Sequence, residues 1–364
     1  MIPGALNNYG ENNMHNYYHS NNQNQSVFHV NPLEIKNWND IISEYSNASF
    51  FHTKEWCETL VKSYHFEPIY LHKVCNSGLN IYPLMGVKDF SGKNKLVSLP
   101  FTDYCDPLSA EKIYIDNNKN IFFKYFNHTE FKRIDFKSSL ILNNEAEHLD
   151  TDKIHLLSLI NPDELLKKFS HTTRSNINKA ERTGINIKID NSLIGIEEFY
   201  RLQCITRKRH NLPPQPLNFF INLYNFAFKK NMADIFLAFY KNKVIASGLF
   251  LKFKDKVLFK YANSDHNYQS FRPNNLLVWE AIKYYYDKGF KIFDFGKTES
   301  ENEGLRKYKL GFNTIEKPLF NYYYDLNASR FVIKNQIKHY PIIFKYAPVS
   351  HLKILSKFIY GFFA

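Results

Sequence analysis

Residues 233–264 read ADIFLAFYKNKVIASGLFLKFKDKVLFKYANS, three strand-length apolar runs separated by the short polar turns KNK and KDK. Runs of β-branched and aromatic residues broken this briefly predict a meander of three strands. A helical pattern follows at residues 273–288, opened by Pro273 and stopped by Gly289, and then another apolar strand, FKIFDFG. Strands interleaved with helices imply a mixed sheet covered by helices on both sides. The longest apolar stretches, such as 244–251, fall far short of the roughly 18 residues that a membrane-spanning helix needs.

The same plan is expected twice. The first pass has helical patterns at residues 32–45 and 53–64 and strands at 68–74, 80–87, 95–100, 132–136 and 153–160. The second opens at Asn161-Pro162-Asp163-Glu164, where a capping Asn, a Pro at the first helical position and two acids make a strong helix start. That helix is expected to run from 161 to 182 and to end at Gly184. A strand at 185–189, two helices around Leu212-Pro213-Pro214, the meander, a short helix at 304–309 and strands around 317–324 complete the pass. The domain reading is therefore an Asn-rich disordered tail at 1–26, a first domain at 27–160, a second at 161–329 and a basic amphipathic helical segment at 330–364. The tail has neither the basic start nor the apolar run of a signal peptide.

The formal net charge of +12 predicts affinity for something anionic, whether a nucleic acid, a membrane surface or a phosphorylated molecule. Cys57, Cys75, Cys105 and Cys204 form no CxxC pair, which fits buried free thiols and a reducing cytoplasm. Short motifs exclude several chemistries. Gly296-Lys297-Thr298 has Lys291 where a phosphate-binding loop requires Gly, and Asp294-Phe295-Gly296 has no upstream His-Arg-Asp loop. HExxH, EF-hand and Gly-x-Ser-x-Gly patterns are absent, and the histidines show no metal-ligand spacing.

The run FRPNNLLVWEAIKYYYDKGFKIFDFGKTESENEGLRKYKLGFN resembles the catalytic region of the FemAB-like branch of the GNAT acyltransferase superfamily. The features that carry the likeness are Pro273-Asn274-Asn275-Leu276-Leu277, Trp279, Gly289, Asp294-Phe295-Gly296, Gly304-Leu305 and Tyr308-Lys309 before Gly311-Phe312. RSNINKAERTG (174–184) resembles the family's basic helix. FHTKEWCETLVKSYHFEPIYL and LVSLPFTDYCDPL, which holds Tyr104, resemble its N-terminal domain. The resemblance implies an α/β (α+β) fold of two tandem GNAT-like domains and an enzyme that forms amide bonds. Peptidoglycan members of the family move amino acids from aminoacyl-tRNA onto cell-wall precursors. The turn QSFRPNN lacks the Gly-rich cradle that ordinary GNAT enzymes offer to a pyrophosphate. The donor therefore stays open among acyl-CoA, acyl carrier protein and aminoacyl-tRNA, with no permanently bound cofactor and an amine-bearing envelope precursor as acceptor.

Direct acyl transfer to an amine needs two reactants held together, a neutral amine and a donor for the developing oxyanion. Asp294, at the end of an apolar strand, is the candidate to position the amine or take its proton, or else simply caps the turn at Gly296. Lys309 is the candidate oxyanion donor, or else a solvated residue on a short helix. The helix expected at 161–182 has an apolar stripe, Leu166, Phe169, Thr173, Ile177 and Ala180, and a basic stripe beside it (Lys167, His171, Arg174, Asn178 and Arg182) is the candidate phosphate contact, or else a solvated face, with Arg207 second. Arg272, Asn275, Trp279, Lys297 and Tyr104 complete the expected substrate-binding set. After Asp325 the chain carries no acid, and Leu352, Leu355, Ile359 and Phe362 recur at helical spacing with Lys353 and Lys357 beside them. This pattern fits either a helix packed on the domain or one lying on an anionic membrane. The expected enzyme works in the cytoplasm or at the inner face of the membrane. The rival reading is a non-catalytic RNA- or membrane-binding protein that keeps the fold without the reaction.

Overall fold

The computed structural model describes residues 27–75, 78–109, 125–126, 129–142, 152–332 and 343–364. The expected tail at 1–26 lies outside them, as do Lys334 and Lys338.

In the first half, strands β1 (Val27–Val30), β3 (Tyr70–Cys75) and β4 (Gly78–Tyr82) form a three-stranded antiparallel sheet. Strands β2 (Glu67–Pro68), β5 (Met85–Lys88), β6 (Asn94–Val97), β7 (Arg133–Ser138) and β8 (Asp152–Ser158) enter a second, larger sheet. The single strand expected at 80–87 is thus two, in different sheets. Pro83 has no N–H to donate and breaks the ladder, and the chain changes sheet there. The helix expected at 32–45 is reduced to a single 3₁₀ turn and α1 (Trp38–Ser43), whereas α2 (Lys54–Tyr64) forms as read, with the Thr53 hydroxyl accepting from Trp56 N.

In the second half, β9 (Ile185–Ile189), the meander β10 (Ala233–Tyr240), β11 (Lys243–Phe253) and β12 (Lys256–Ser264), and β13 (Ile292–Thr298) continue the larger sheet. β11 is buried along nearly all its length, which is why VIASGLFL shows no alternation of apolar and polar residues. Strand β14 (Ile315–Asp325) joins the halves. Its first residues, Ile315–Leu319, pair with β8 and its last, Phe320–Asp325, with β7; the short β15 (Arg330–Phe331) pairs beside it. β8 is itself enclosed between β13 and β14. One sheet therefore runs through both halves.

The helix expected across 161–182 is broken into α3 (Pro162–Lys168) and α4 (His171–Arg182). Phe169 is extended (ψ 149°) and fully packed, and Ser170 begins a new cap by accepting from Thr173 N. The apolar stripe that suggested one continuous helix holds Phe169 in the core between Trp279 and Phe312, at ring distances of 5.5 and 5.2 Å. Helices α5 (Leu193–Arg209) and α6 (Leu217–Phe226) cover one face of the sheet, and α7 (Pro273–Asp287) covers the other. One core cluster spans both halves: Trp56 of α2 meets Phe219 of α6 edge-on at 5.8 Å. Trp56 is wholly buried, so its truncation to Ala is expected to cost about 3–5 kcal/mol. Cys57, Cys105 and Cys204 are free and buried.

The C-terminal helix α9 (Val349–Ile359) packs on the domain. Leu352, Ser356 and Tyr360 form its buried face, one step round from the stripe the sequence suggested. No described helix is long and apolar enough to cross a membrane.

Candidate active site

The site forms where β12 and β13 part. The two strands run parallel, pairing Lys256–Leu258 with Ile292–Asp294, and no pairing continues beyond. At that point β13 also slips its register against β8, between Asp294 and Lys297. Gly296 sits in the slip with φ +70°, a conformation that favours glycine. Two features of the local sequence support the bulge. Asp294 Oδ1 accepts from Gly296 N at 2.7 Å, closing a small turn within the strand, and the bulge carbonyls have a buried cation as partner.

That cation is Lys309, only 5% exposed, on α8 (Glu303–Leu310). Its Nζ donates to Gly296 O at 2.9 Å and to Lys297 O at 2.8 Å, leaving one of three N–H donors. Asn302 caps α8 by accepting from Leu305 N, and Arg306 ties the helix to β14 through a two-pronged ion pair with Glu316 at 2.7 and 2.9 Å. The helix is thus held at its start and its middle, and Lys309 with it. Burial pushes the Lys309 pKa down to about 8, with the neighbouring Lys297 charge acting in the same direction and the Asp103 and Asp294 carboxylates opposing it.

Asp294 is 8% exposed. Its Oδ2 accepts a 2.7 Å hydrogen bond from the Tyr104 hydroxyl. Burial raises its pKa to about 6, and the hydrogen bonds from Tyr104 and Gly296 limit the rise. A second carboxylate, Asp103, enters from the first half of the chain and pairs with Lys260 of β12 at 2.8 Å. Burial alone would raise the Asp103 carboxyl, but the Lys260 ammonium holds it below the ordinary carboxylate range. A β-carbon at position 296 would collide with Asp103 Oδ2, so the absence of a side chain at Gly296 is what admits Asp103 to the bulge. Lys260 Nζ also lies over the rings of Phe51 and Tyr261 at 5.3 and 5.4 Å.

Of the residues expected from sequence, Asp294, Lys309, Tyr104 and Lys297 come together here. Asp294 does cap the turn at Gly296, and it also faces Tyr104. Lys309 is buried, so the reading of it as a solvated residue is corrected. Lys297 is engaged by Asp152 at 2.9 Å and by Glu299 at 3.4 Å. Asp103 and Lys260 were not singled out from the sequence. Asp103 precedes Tyr104 in the DYCD segment that carried part of the resemblance, and that adjacency was the available signal.

The remaining expected residues are dispersed. Trp279 is buried in the core against Phe169, with Lys283 Nζ 5.6 Å over its ring. Asn275 is buried in the first turn of α7, and Arg272, just before it, is exposed with φ +62°. Arg174 is half-buried and Arg182 exposed on α4, where the Arg182 Nε donates to Asn178 O at 3.3 Å. Lys167 lies exposed on α3, across the break at Phe169, so it does not share a helix with the two arginines. Arg207 donates to Pro213 O at 3.1 Å and to the Tyr360 hydroxyl at 3.4 Å, binding the Pro-Pro turn to the C-terminal segment.

A model of the GNAT acetyltransferase domain matches residues 167–310, which includes the whole of β13 and α8. The UDP-N-acetylmuramoylpentapeptide-lysine N(6)-alanyltransferase of Weissella viridescens is 26% identical over 137 residues, covering 38% of this chain and 40% of that protein. The lipid II:glycine glycyltransferase of Staphylococcus haemolyticus is 30% identical over 118 residues, covering 30% of this chain and 28% of that protein. The matches therefore span less than half the length of either curated relative. The crystal structure of FemX superposes over 81% of this chain and 96% of its own, with a TM-score of 0.59 at 14% identity, a likeness of fold. A bulged strand carrying Asp294, a buried lysine on the next helix and these matches agree with the resemblance read from the sequence: residues 167–310 match a GNAT acetyltransferase domain, and the chain is similar to FemAB-like aminoacyltransferases.

Proposed function

We propose that the protein transfers an aminoacyl group to an amine of a cell-envelope precursor, forming an amide without a covalent enzyme intermediate. The observation that carries this reading is the pairing, on one strand bulge, of a carboxylate raised toward neutrality with a lysine pinned to the bulge carbonyls. Asp294 accepts the proton that the attacking amine releases as its nitrogen bonds to the acyl carbon. The free N–H of Lys309 stabilises the oxyanion that forms, and the donor's leaving oxygen or sulfur departs as the carbonyl is restored. Tyr104 orients the Asp294 carboxylate, and the Asp103–Lys260 pair holds the bulge in shape.

The start of α7 favours an aminoacyl-tRNA over acyl-CoA as donor. Pro273 has no N–H, and the Asn275 N–H is donated to Arg272 O at 3.1 Å. Few amides are left there to cradle a pyrophosphate. The named relatives are an alanyltransferase and a glycyltransferase, and the acceptors in their names are a lysine of UDP-N-acetylmuramoylpentapeptide and lipid II. Arg174 and Arg182 are the cations we assign to phosphates of either substrate.

The test is incubation of the purified chain with UDP-N-acetylmuramoylpentapeptide and either labelled alanyl-tRNA, labelled glycyl-tRNA or labelled acetyl-CoA, with the acceptor analysed by mass spectrometry. The expected result is an acceptor heavier by one amino acid and unlabelled by acetyl-CoA. Retention of a donor with no product from any of the three would instead support the non-catalytic binder.

A further inference from the structure

We propose that the face made by the β5–β6 turn and the outer side of α9 docks the protein on an anionic lipid bilayer. This goes beyond the acyl-transfer reading and does not depend on it. With Leu352, Ser356 and Tyr360 turned into the domain, α9 is firmly seated, yet its opposite side is also apolar. Ile354 and Phe358 are 59% and 74% exposed, and Phe362 continues the same spacing at 37%. Residues that far out of the core are not holding the helix down.

The patch is completed from more than 260 positions earlier in the chain. Phe90, at the tip of the β5–β6 turn, is 63% exposed, and its ring lies 5.5 Å from Phe362 and 5.1 Å from Phe363. The turn beneath it is rigid, because Asp89 accepts from Ser91 N, Ser91 Oγ and Lys93 N. A tight polar turn that presents a phenylalanine outward, against a helix that does the same, makes a contiguous apolar surface from two distant segments.

Charge selects the occupant. Lys88 and Lys93 flank Phe90, Lys357 precedes Phe358, and all three are exposed. The chain has no acid after Asp325. The nearby acids are Asp89, consumed within the turn, and Glu67 and Glu130, which line the adjoining groove of about 430 Å³ together with Lys88, Lys357 and Phe358. Apolar rings set among lysines match the boundary between acyl chains and anionic headgroups. The helix approaches such a surface without unfolding or leaving the domain.

The experiment is sedimentation of the full chain with vesicles of phosphatidylglycerol and phosphatidylcholine in equal parts, and with phosphatidylcholine alone. The expected result is binding to the first and not the second, weakened by salt. Phe90→Ser combined with Phe358→Ser should reduce partitioning at least tenfold with an unchanged melting temperature, since both side chains are exposed. Lys93→Gln with Lys357→Gln should reduce it by roughly fivefold for each lysine. Failure of the wild-type chain to sediment with anionic vesicles overturns the proposal, as does equal binding to neutral ones. Undiminished binding of the Phe90→Ser, Phe358→Ser protein places the contact elsewhere and also overturns it. A dimer in size-exclusion chromatography that this variant converts to monomer would mark the face as a self-interface instead.

Discussion

The Tyr104 hydroxyl donates a 2.7 Å hydrogen bond to Asp294 across a separation of 190 residues, so the first half of the chain helps to set the ionisation of a carboxylate in the second. With Asp294 at about 6 as the base, activity should rise as pH climbs through 6. Tyr104→Phe removes a hydrogen bond that favours the carboxylate, so this limb should move to higher pH. A pH profile of kcat/KM for the two proteins decides it, and an unmoved limb would separate Tyr104 from Asp294 function.

The same group has a stability signature. Its folded pKa lies above the ordinary 3.8, so the folded protein binds more protons than the unfolded chain between about pH 4 and 6. Its contribution to stability is therefore full at low pH and is lost as pH rises through that window. Each pH unit changes it by at most about 1.4 kcal/mol. Asp294→Asn should flatten this part of the curve, measured by denaturant unfolding across pH.

Lys309 must be protonated to stabilise an oxyanion, and its pKa of about 8 predicts loss of turnover as pH rises past 8. Lys309→Met keeps the aliphatic stem, removes the charge and should lower kcat by roughly a hundredfold or more. Burial stabilises its neutral form, so folded Lys309 sheds its proton before the unfolded chain does. Stability from this group should therefore rise with pH between about 8 and 10.5. Full turnover of Lys309→Met at saturating substrate would remove Lys309 from the chemistry.

Gly296→Ala places a methyl group against Asp103 Oδ2 in a left-handed backbone conformation. The combined strain and displaced ion pair should cost about 1–3 kcal/mol and most of the activity. If the collision with Asp103 is the main cost, Asp103→Ala in the same protein should recover part of the melting temperature, though not the activity. A wild-type melting temperature for Gly296→Ala alone would show that the bulge yields freely.

Arginines on two helices should behave differently. Substituting Arg174 and Arg182 with Gln should raise KM and weaken its dependence on salt while leaving kcat nearly intact, because both lie on the outer part of α4. Arg207→Gln should instead lower the melting temperature with KM unchanged, since its guanidinium holds Pro213 and Tyr360. The reverse pattern, measured by kinetics over a salt series with thermal melts alongside, would exchange the two assignments.

Periodicity and capping along the chain determined the local elements: the meander at 233–264, the helix α2, the start at Asn161 and the apolar strand that carries Asp294. Those signals act within a turn or two of backbone, where propensity and hydrogen bonding decide. The resemblance likewise singled out Asp294 and Lys309 as candidates because they lie 15 residues apart in one contiguous segment. Other features depend on contacts between distant residues. Packing of Phe169 between Trp279 and Phe312 overrode a helical stripe and broke the helix at 169–170. Pro83 ended one strand, but only the sheets themselves determine that β4 and β5 belong to different ones. The wedge of Asp103 at Gly296, the Lys260 ion pair and the bridging of both halves by β14 have no local periodicity to announce them. Asp103 and Lys260 are largely withdrawn charges, their side chains 21% and 6% exposed, and such a charge is tolerable only once the fold has brought its partner within reach.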